Sequence, residues 1–337
     1  MTDRSTATIA PDQTGSRRAL GTERIRGSLQ QVLAFASLLA IVVFFSFANE
    51  HFFTPSNLIG ILVAATVTGI LALGTTFVII TGGIDLSIGT GMTLCGVMAG
   101  VFMTYWGWPT WAGIAGAILF GGLIGLINGV NVSILGIPPF IATLAMMLVA
   151  AGLSLVISGT SPIYFKENPD FQGFMNLSVI PGARFPLGVL IFIVMIVVAA
   201  VLLSRTIVGR YAFSIGSNEN ATALSGVNVR RWKIVIYSMA GLFVGLAGAL
   251  AASRLSSAQP VGGMGLELEA IAAVVIGGTS LQGGKGSIIG TVIGALIVAV
   301  LTNGLRVAAV PQEWQSVVVG CVILVAVYLD MLRRRRT

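Results

Sequence analysis

From Phe52 to Phe165 the chain carries no Lys, Arg, Glu or His, and Asp85 is the only charged side chain in that stretch. A soluble domain does not tolerate this, because roughly a quarter of its residues are ordinarily charged. Over all 337 residues, 9% are charged and 55% are hydrophobic. The chain therefore reads as one that lives in lipid. Its 43 glycines agree, since helices in lipid gain no hydrophobic force between them and associate through close approach of small residues.

Hydrocarbon offers no water to backbone groups, so membrane spans are expected to be helices of about 20 apolar residues. On that basis the sequence reads as ten spans, at approximately 29–48, 57–80, 86–104, 112–134, 140–158, 186–204, 233–252, 268–281, 286–305 and 312–331. Proline tests these bounds independently, because it removes a helical hydrogen bond. All eleven prolines fall in the tail, in connections or, for Pro186, at the first position of a span. The run from Leu29 to Ala48 is longer than the ~7–15 apolar residues of a signal peptide and reads as a retained first helix.

The domain organisation follows. Residues 1–28 form a polar, basic tail expected to be disordered, 29–332 a single transmembrane domain and 333–337 a basic end. Lys and Arg accumulate on the cytoplasmic side of membrane proteins. Arg4, Arg17, Arg18, Arg24, Arg26, Arg205, Arg210, Arg230, Arg231, Lys233, Lys285 and Arg333 to Arg336 all fall on one side, leaving only Lys166, Arg184, Arg254 and Arg306 on the other. Both termini are then cytoplasmic. This topology also accounts for the net charge of +7 without nucleic acid, because no basic face carries interleaved aromatics. Cys95 and Cys321 sit inside apolar spans, and a single His leaves no material for a metal cluster.

The motifs exclude most enzyme classes. GGKGS (283–287) lacks the Walker pattern, having Thr279 where the first Gly belongs and Gly286 where Ser or Thr should follow Lys285. The chain is not read as an ATPase. Asp85 lies after Gly82 and Gly83, at a cytoplasmic turn before the third span, and reads as a cap on that helix rather than a proton relay. Gly283, Gly284 and Lys285 form the corresponding turn of a weak internal echo. Gly121, Gly125 and Gly129, and again Gly286, Gly290 and Gly294, are spaced as helix-packing ridges.

The inner loop 205–232 carries the most informative pattern. Ser217 or Asn218 can cap a short helix, Glu219 suits its first turn, Ala221 to Leu224 continue it and Gly226 ends it. Ala221, Leu224 and Ser225 then form a small knob flanked by bases. It is either an amphipathic segment on anionic lipid or a docking helix for a cytoplasmic partner. On the outer face Arg254, Glu267, Glu269 and Arg306 cluster at the ends of the last spans, as solvated charges or as a docking surface.

TGGIDLSIG (81–89), GRYAFSIGSNENATALSG (209–226) and AVVIGGTSLQGGKGSIIGTVIGALI (273–297) resemble the signature segments of the ribose-type sugar permeases of bacterial ABC importers, within the branched-chain amino acid and sugar permease superfamily. The resemblance covers roughly residues 30–335. It implies an all-α polytopic protein of the inner membrane, with ten helices arranged as in vitamin B12-type importers. It implies pairing with a second copy or a sister permease, a cytoplasmic ABC ATPase that binds ATP and magnesium, and a periplasmic sugar-binding protein. No cofactor is then expected in this chain itself. Asn218 to Gly226 would be the coupling helix and the outer charges binding-protein contacts. The sugar or polyol stays open; a nucleoside or branched-chain amino acid permease, or a stand-alone secondary transporter, are the alternatives.

Overall fold

The computed structural model describes residues 13–178 and 185–335; the start of the tail, Arg184 and Arg336 lie outside the described residues. The chain is a helical bundle. Helices α1 (Gln13–Ala48), α2 (Pro55–Ile80), α3 (Ile88–Gly100), α4 (Thr110–Ser133), α5 (Pro139–Ser158) and α6 (Leu187–Arg205) form its first half. The second half contains α7 (Ile207–Ser217), α8 (Glu219–Leu224), α9 (Val229–Leu255), α10 (Leu266–Ile276), α11 (Ile288–Val307) and α12 (Gln312–Arg335). A short antiparallel pair, β1 (Ile163–Tyr164) and β2 (Ser257–Ala258), closes one end.

Among the described residues, eight helices are long and apolar enough to span a membrane, rather than the ten expected. They are α1 from Gln31, α2, α3 with its π-helical extension to Tyr105, α4, α5, α6, α9 and α11. The ninth segment, α12, is helical over the last expected span. The expected eighth span differs most, because α10 has only 11 residues. At ~1.5 Å per residue it covers about half of a ~30 Å hydrocarbon core. The helix α1 begins at Gln13, inside the segment expected to be tail. Pro55 and Pro139 occupy first-turn positions of α2 and α5, where the missing N–H costs nothing.

Backbone-to-backbone approach holds the centre together. On α4, a Cβ at Gly121 would collide with the Gly241 carbonyl, and one at Gly125 with the Tyr237 carbonyl. Gly245 on α9 is wedged in turn against Ala117 and Ile118. Each helix therefore presents a small-xxx-small ridge to the other, the arrangement by which helices pack tightly without a hydrophobic force. The α10–α11 pair repeats the device through Gly277, Gly290 and Gly294. Contrary to the expectation from spacing, Gly286 does not belong to that ridge, because α11 starts two residues later; it packs on Ile80 from the preceding turn instead.

The segment that follows α5, residues 159–178, is built into this bundle. Phe165, Phe171 and Met175 are fully buried, and Ser253 of α9 stitches the segment down. Its Oγ donates to the Phe171 carbonyl at 2.9 Å and accepts from the Met175 amide at 3.1 Å.

Glycine position decides substitution cost here. Gly125→Leu is expected to lose about 3 kcal/mol or more, as overpacking against backbone does, and to lower the unfolding temperature of the purified chain. Gly152 on α5 has open space around it. Gly152→Ala is expected to leave stability unchanged or raise it by about 0.5–1 kcal/mol. Equal melting of the two variants would contradict this packing.

Candidate functional site

Two regions at opposite ends of the bundle concentrate the chain's unusual features. The first is α8. Asn218 is its cap, with Oδ1 accepting the Ala221 amide at 2.9 Å. Glu219 lies in its first turn, and its carboxylate receives Lys233 Nζ of α9 at 2.7 and 2.8 Å, which fixes the short helix against the bundle. Thr222 is buried beneath it, whereas Leu224 is 90% exposed, and Ala221 and Ser225 are exposed beside it. Gly226 ends the helix at φ +85°, a left-handed conformation in which other residues are strained. The helix thus holds an apolar side chain out from the bundle while a cap and a salt bridge fix its backbone. The Lys233 partnership was not evident in the sequence, since charge spacing across a turn reveals pairs only within one helix.

The preceding helix α7 was not expected at all, and its end is the more consequential finding. Gly216 is pressed between the two glycine turns: a Cβ there would collide with the Ile80 carbonyl and crowd the Gly284 amide. The turns themselves are joined, the Gly284 amide donating to the Ile80 carbonyl at 2.9 Å. Gly82 and Gly283 pack within the same knot, with Gly82 facing Gln282 and Gly283 facing Gly82. Gly83 rests on the Tyr237 hydroxyl, and the Lys285 carbonyl accepts the Ser280 amide at 3.0 Å across the second turn. The two segments that echo one another in sequence thus meet, and the residue entering α8 lies between them.

Asp85 corrects an expectation. It does not cap α3; the cap position is Ser87, which makes no side-chain capping bond. Asp85 is 4% exposed, and its Oδ1 accepts the Ser87 amide at 2.9 Å and the Ser87 hydroxyl at 2.6 Å. Asn128 of α4 donates to Ser87 Oγ at 2.8 Å and faces both Asp85 oxygens at 3.5 Å. The carboxylate thus pins the extended stretch before α3 to α4, because that stretch doubles back into the bundle after its turn. Burial raises the Asp85 carboxyl above its ordinary 3.8, against hydrogen bonds from Ser87 and Asn128 that lower it.

The second region is a cavity of about 400 Å³ at the end of the bundle opposite α8. Residues of α2, α3, α9, α10 and α11 wall it, with Arg254, Gln259 and Arg306 towards the end that carries β2, and Met92, Thr93 and Leu266 deeper. Between β2 and α10 the chain descends without helical structure. Ala258 packs beside Gly100 near the outer end of α3, whereas Gly263 packs on Gly89 in its first turn. That descent is about 16 Å at ~1.5 Å per residue along α3. Of the four outer charges grouped in the sequence, Arg254 and Arg306 are exposed and Glu269 is half-buried on the cavity wall. Glu267 is corrected: it is 5% exposed, its carboxylate turned in to the Gly265 amide and Gly89, because the descent carries the start of α10 into the bundle. It cannot serve as an outer contact.

Comparison with known proteins bears on this arrangement. The profile of the family described as branched-chain amino acid transport system / permease component matches residues 57–327. The ribose import permease protein of Escherichia coli (strain K12) is 42% identical over 308 residues, 90% of this chain and 94% of that protein. The chain belongs to this permease family. The ribose import permease protein of Bacillus subtilis (strain 168) is 43% identical over 309 residues, again 90% and 94% of the two chains. The D-allose transport system permease protein of Escherichia coli (strain K12) is 37% identical over 298 residues, covering 88% and 90%. Permeases of this family are polytopic components of transport systems, which agrees with a bundle of apolar helices.

A buried carboxyl with a raised pKa binds its proton more tightly in the folded than in the unfolded chain. Its stabilising contribution is complete below about 3.8 and is lost as pH rises through the higher folded value. Asp85→Asn keeps an acceptor for Ser87 but cannot ionise. It is expected to melt above wild type at neutral pH, with the difference vanishing in acid. A constant difference at all pH values would contradict the assignment.

Proposed function

We propose that the chain is the transmembrane permease subunit of a bacterial ABC importer for a monosaccharide or related polyol, placed in the inner membrane with α8 in the cytoplasm. Its relatives are named as ribose and allose permeases, and both cover nearly the whole chain. The observation that carries the coupling reading is α8 itself, a capped and salt-bridged helix that presents Leu224 to the outside. In this reading a separate ATPase, which binds ATP and magnesium, docks on Leu224, Ala221 and Ser225. Closure of that ATPase biases the permease between states, as a driving ligand must. A periplasmic sugar-binding protein delivers substrate at the other end, where Arg254 and Arg306 are offered as its contacts.

A second protomer, a copy or a sister permease, is supported by the non-helical descent after β2. Met264 is 66% exposed on it and does not line the cavity, yet it lies at a depth where irregular backbone cannot face lipid. A second chain over that face would cover it.

Leu224→Asp tests the docking role. The variant should fold and insert as wild type, bind the ATPase at least about tenfold more weakly, equivalent to ~1.4 kcal/mol, and lose sugar uptake. Wild-type uptake and ATPase binding by this variant would overturn the reading, as would uptake driven by a proton or sodium gradient without any ATPase.

A further inference from the structure

We propose that the cavity between α9, α10 and α11 is a monosaccharide-binding subsite within each permease chain, formed by Arg254, Gln259, Glu269, Thr302, Asn303 and Arg306. The inference rests on the importer reading above and deepens it, since that reading leaves sugar recognition to the binding protein.

Three observations converge on it. The first is architecture. A non-helical segment, residues 259–265, leads from β2 to the half-length helix α10 and reaches Gly89, about 16 Å from Gly100 at ~1.5 Å per residue along α3. Irregular backbone at such depth is tolerated only where protein buries it or a polar cavity receives it. Here Gln259, Val261 and Gly262 of that segment line the cavity. Broken helices that end at mid-depth are a general way to build a solute site in a membrane.

The second is size and chemistry. About 400 Å³ falls within the ~300–1,000 Å³ of small-molecule sites. A monosaccharide has hydroxyls around its rim and apolar C–H faces. The cavity supplies Val67, Met92 and Val298 as apolar wall, with carboxylate, guanidinium, amide and hydroxyl groups around them. Glu269 accepts hydroxyl protons, Arg254 and Arg306 donate, and Gln259 does either.

The third is unspent hydrogen-bonding capacity. Among the described residues, no ion pair within 4 Å involves Arg254, Glu269 or Arg306, although all three line one space. Thr302 Oγ1 is buried with no partner in the protein. Buried polar atoms are nearly always paired, so an orphan beside a cavity calls for a group that is absent from the chain itself. Asn303 is held in place by the Asn57 amide, which donates to its Oδ1 at 3.0 Å.

The test uses the assembled importer in proteoliposomes, with D-ribose and D-allose as probes. Uptake and binding-protein-stimulated ATP hydrolysis are measured for wild type, Glu269→Gln and Thr302→Val. Both substitutions keep side-chain size, and the second removes only an unpaired hydroxyl. Uptake should fall about tenfold in Glu269→Gln, a ~1.4 kcal/mol loss, and several-fold in Thr302→Val, while stimulated hydrolysis stays near wild type. In the permease alone, with Cys321→Ser, either sugar at high millimolar concentration should slow labelling of Thr302→Cys by a water-soluble thiol reagent, and glycine betaine should not. Wild-type uptake in both variants together with unprotected labelling overturns the subsite while leaving the importer reading intact. A wild-type complex that transports neither sugar nor any other monosaccharide overturns both.

Discussion

In hydrocarbon a helix gains little by burying apolar side chains against another, so this bundle depends on how closely its backbones can approach. Glycine sets that distance. At Gly121 and Gly125 against Gly241 and Tyr237, and at Gly290 and Gly294 against Gly277 and Ala273, carbonyl groups lie where any Cβ would have to be. Such contacts are rigid, because no side-chain rotation can relieve a displaced backbone. The same rigidity lets a small displacement at one end of a helix reach the other.

The junction at Gly216 is where that property becomes mechanical. The end of α7, the Ile80 carbonyl and the Gly284 amide meet without an intervening side chain. Ile80 ends α2, and Gly284 belongs to the turn joining α10 to α11. All three of those helices wall the cavity at the far end. Through this junction the backbone adjoining α8 is in direct contact with helices that carry Thr68, Glu269 and Thr302 on the cavity wall. Two packed arrangements of one junction, rather than gradual deformation, are the usual substrate of such switching.

Much of this was legible in the sequence, and the reasons differ from element to element. The α8 cap and its termination at Gly226 are local signals, written in Asn218, Glu219 and the glycine itself, and the structure reproduces them residue by residue. The ridge on α4 could be read because its spacing lies within one helix; its partner in GLFVG (241–245) has the same spacing and was overlooked. Proline placed the helix starts. Asp85 was misjudged because the sequence shows a turn but not that the chain doubles back into the bundle behind it, where Ser87 and Asn128 wait. Glu267 was misplaced for the same reason. Hydropathy cannot distinguish a half-length helix preceded by an inward strand from a weak full span, so α10 was expected at membrane length. Gly216, Lys233 and the cavity depend on contacts between distant segments, and no local pattern encodes them.

The account stands on transmission through Gly216, and ATP hydrolysis by the assembled importer carrying Gly216→Ala measures this directly. The added methyl should leave the ATPase bound through Leu224 and its basal hydrolysis intact, while acceleration by the sugar-loaded binding protein is lost. Full acceleration in that variant, with the permease folded and the ATPase bound, would show that the signal takes another route.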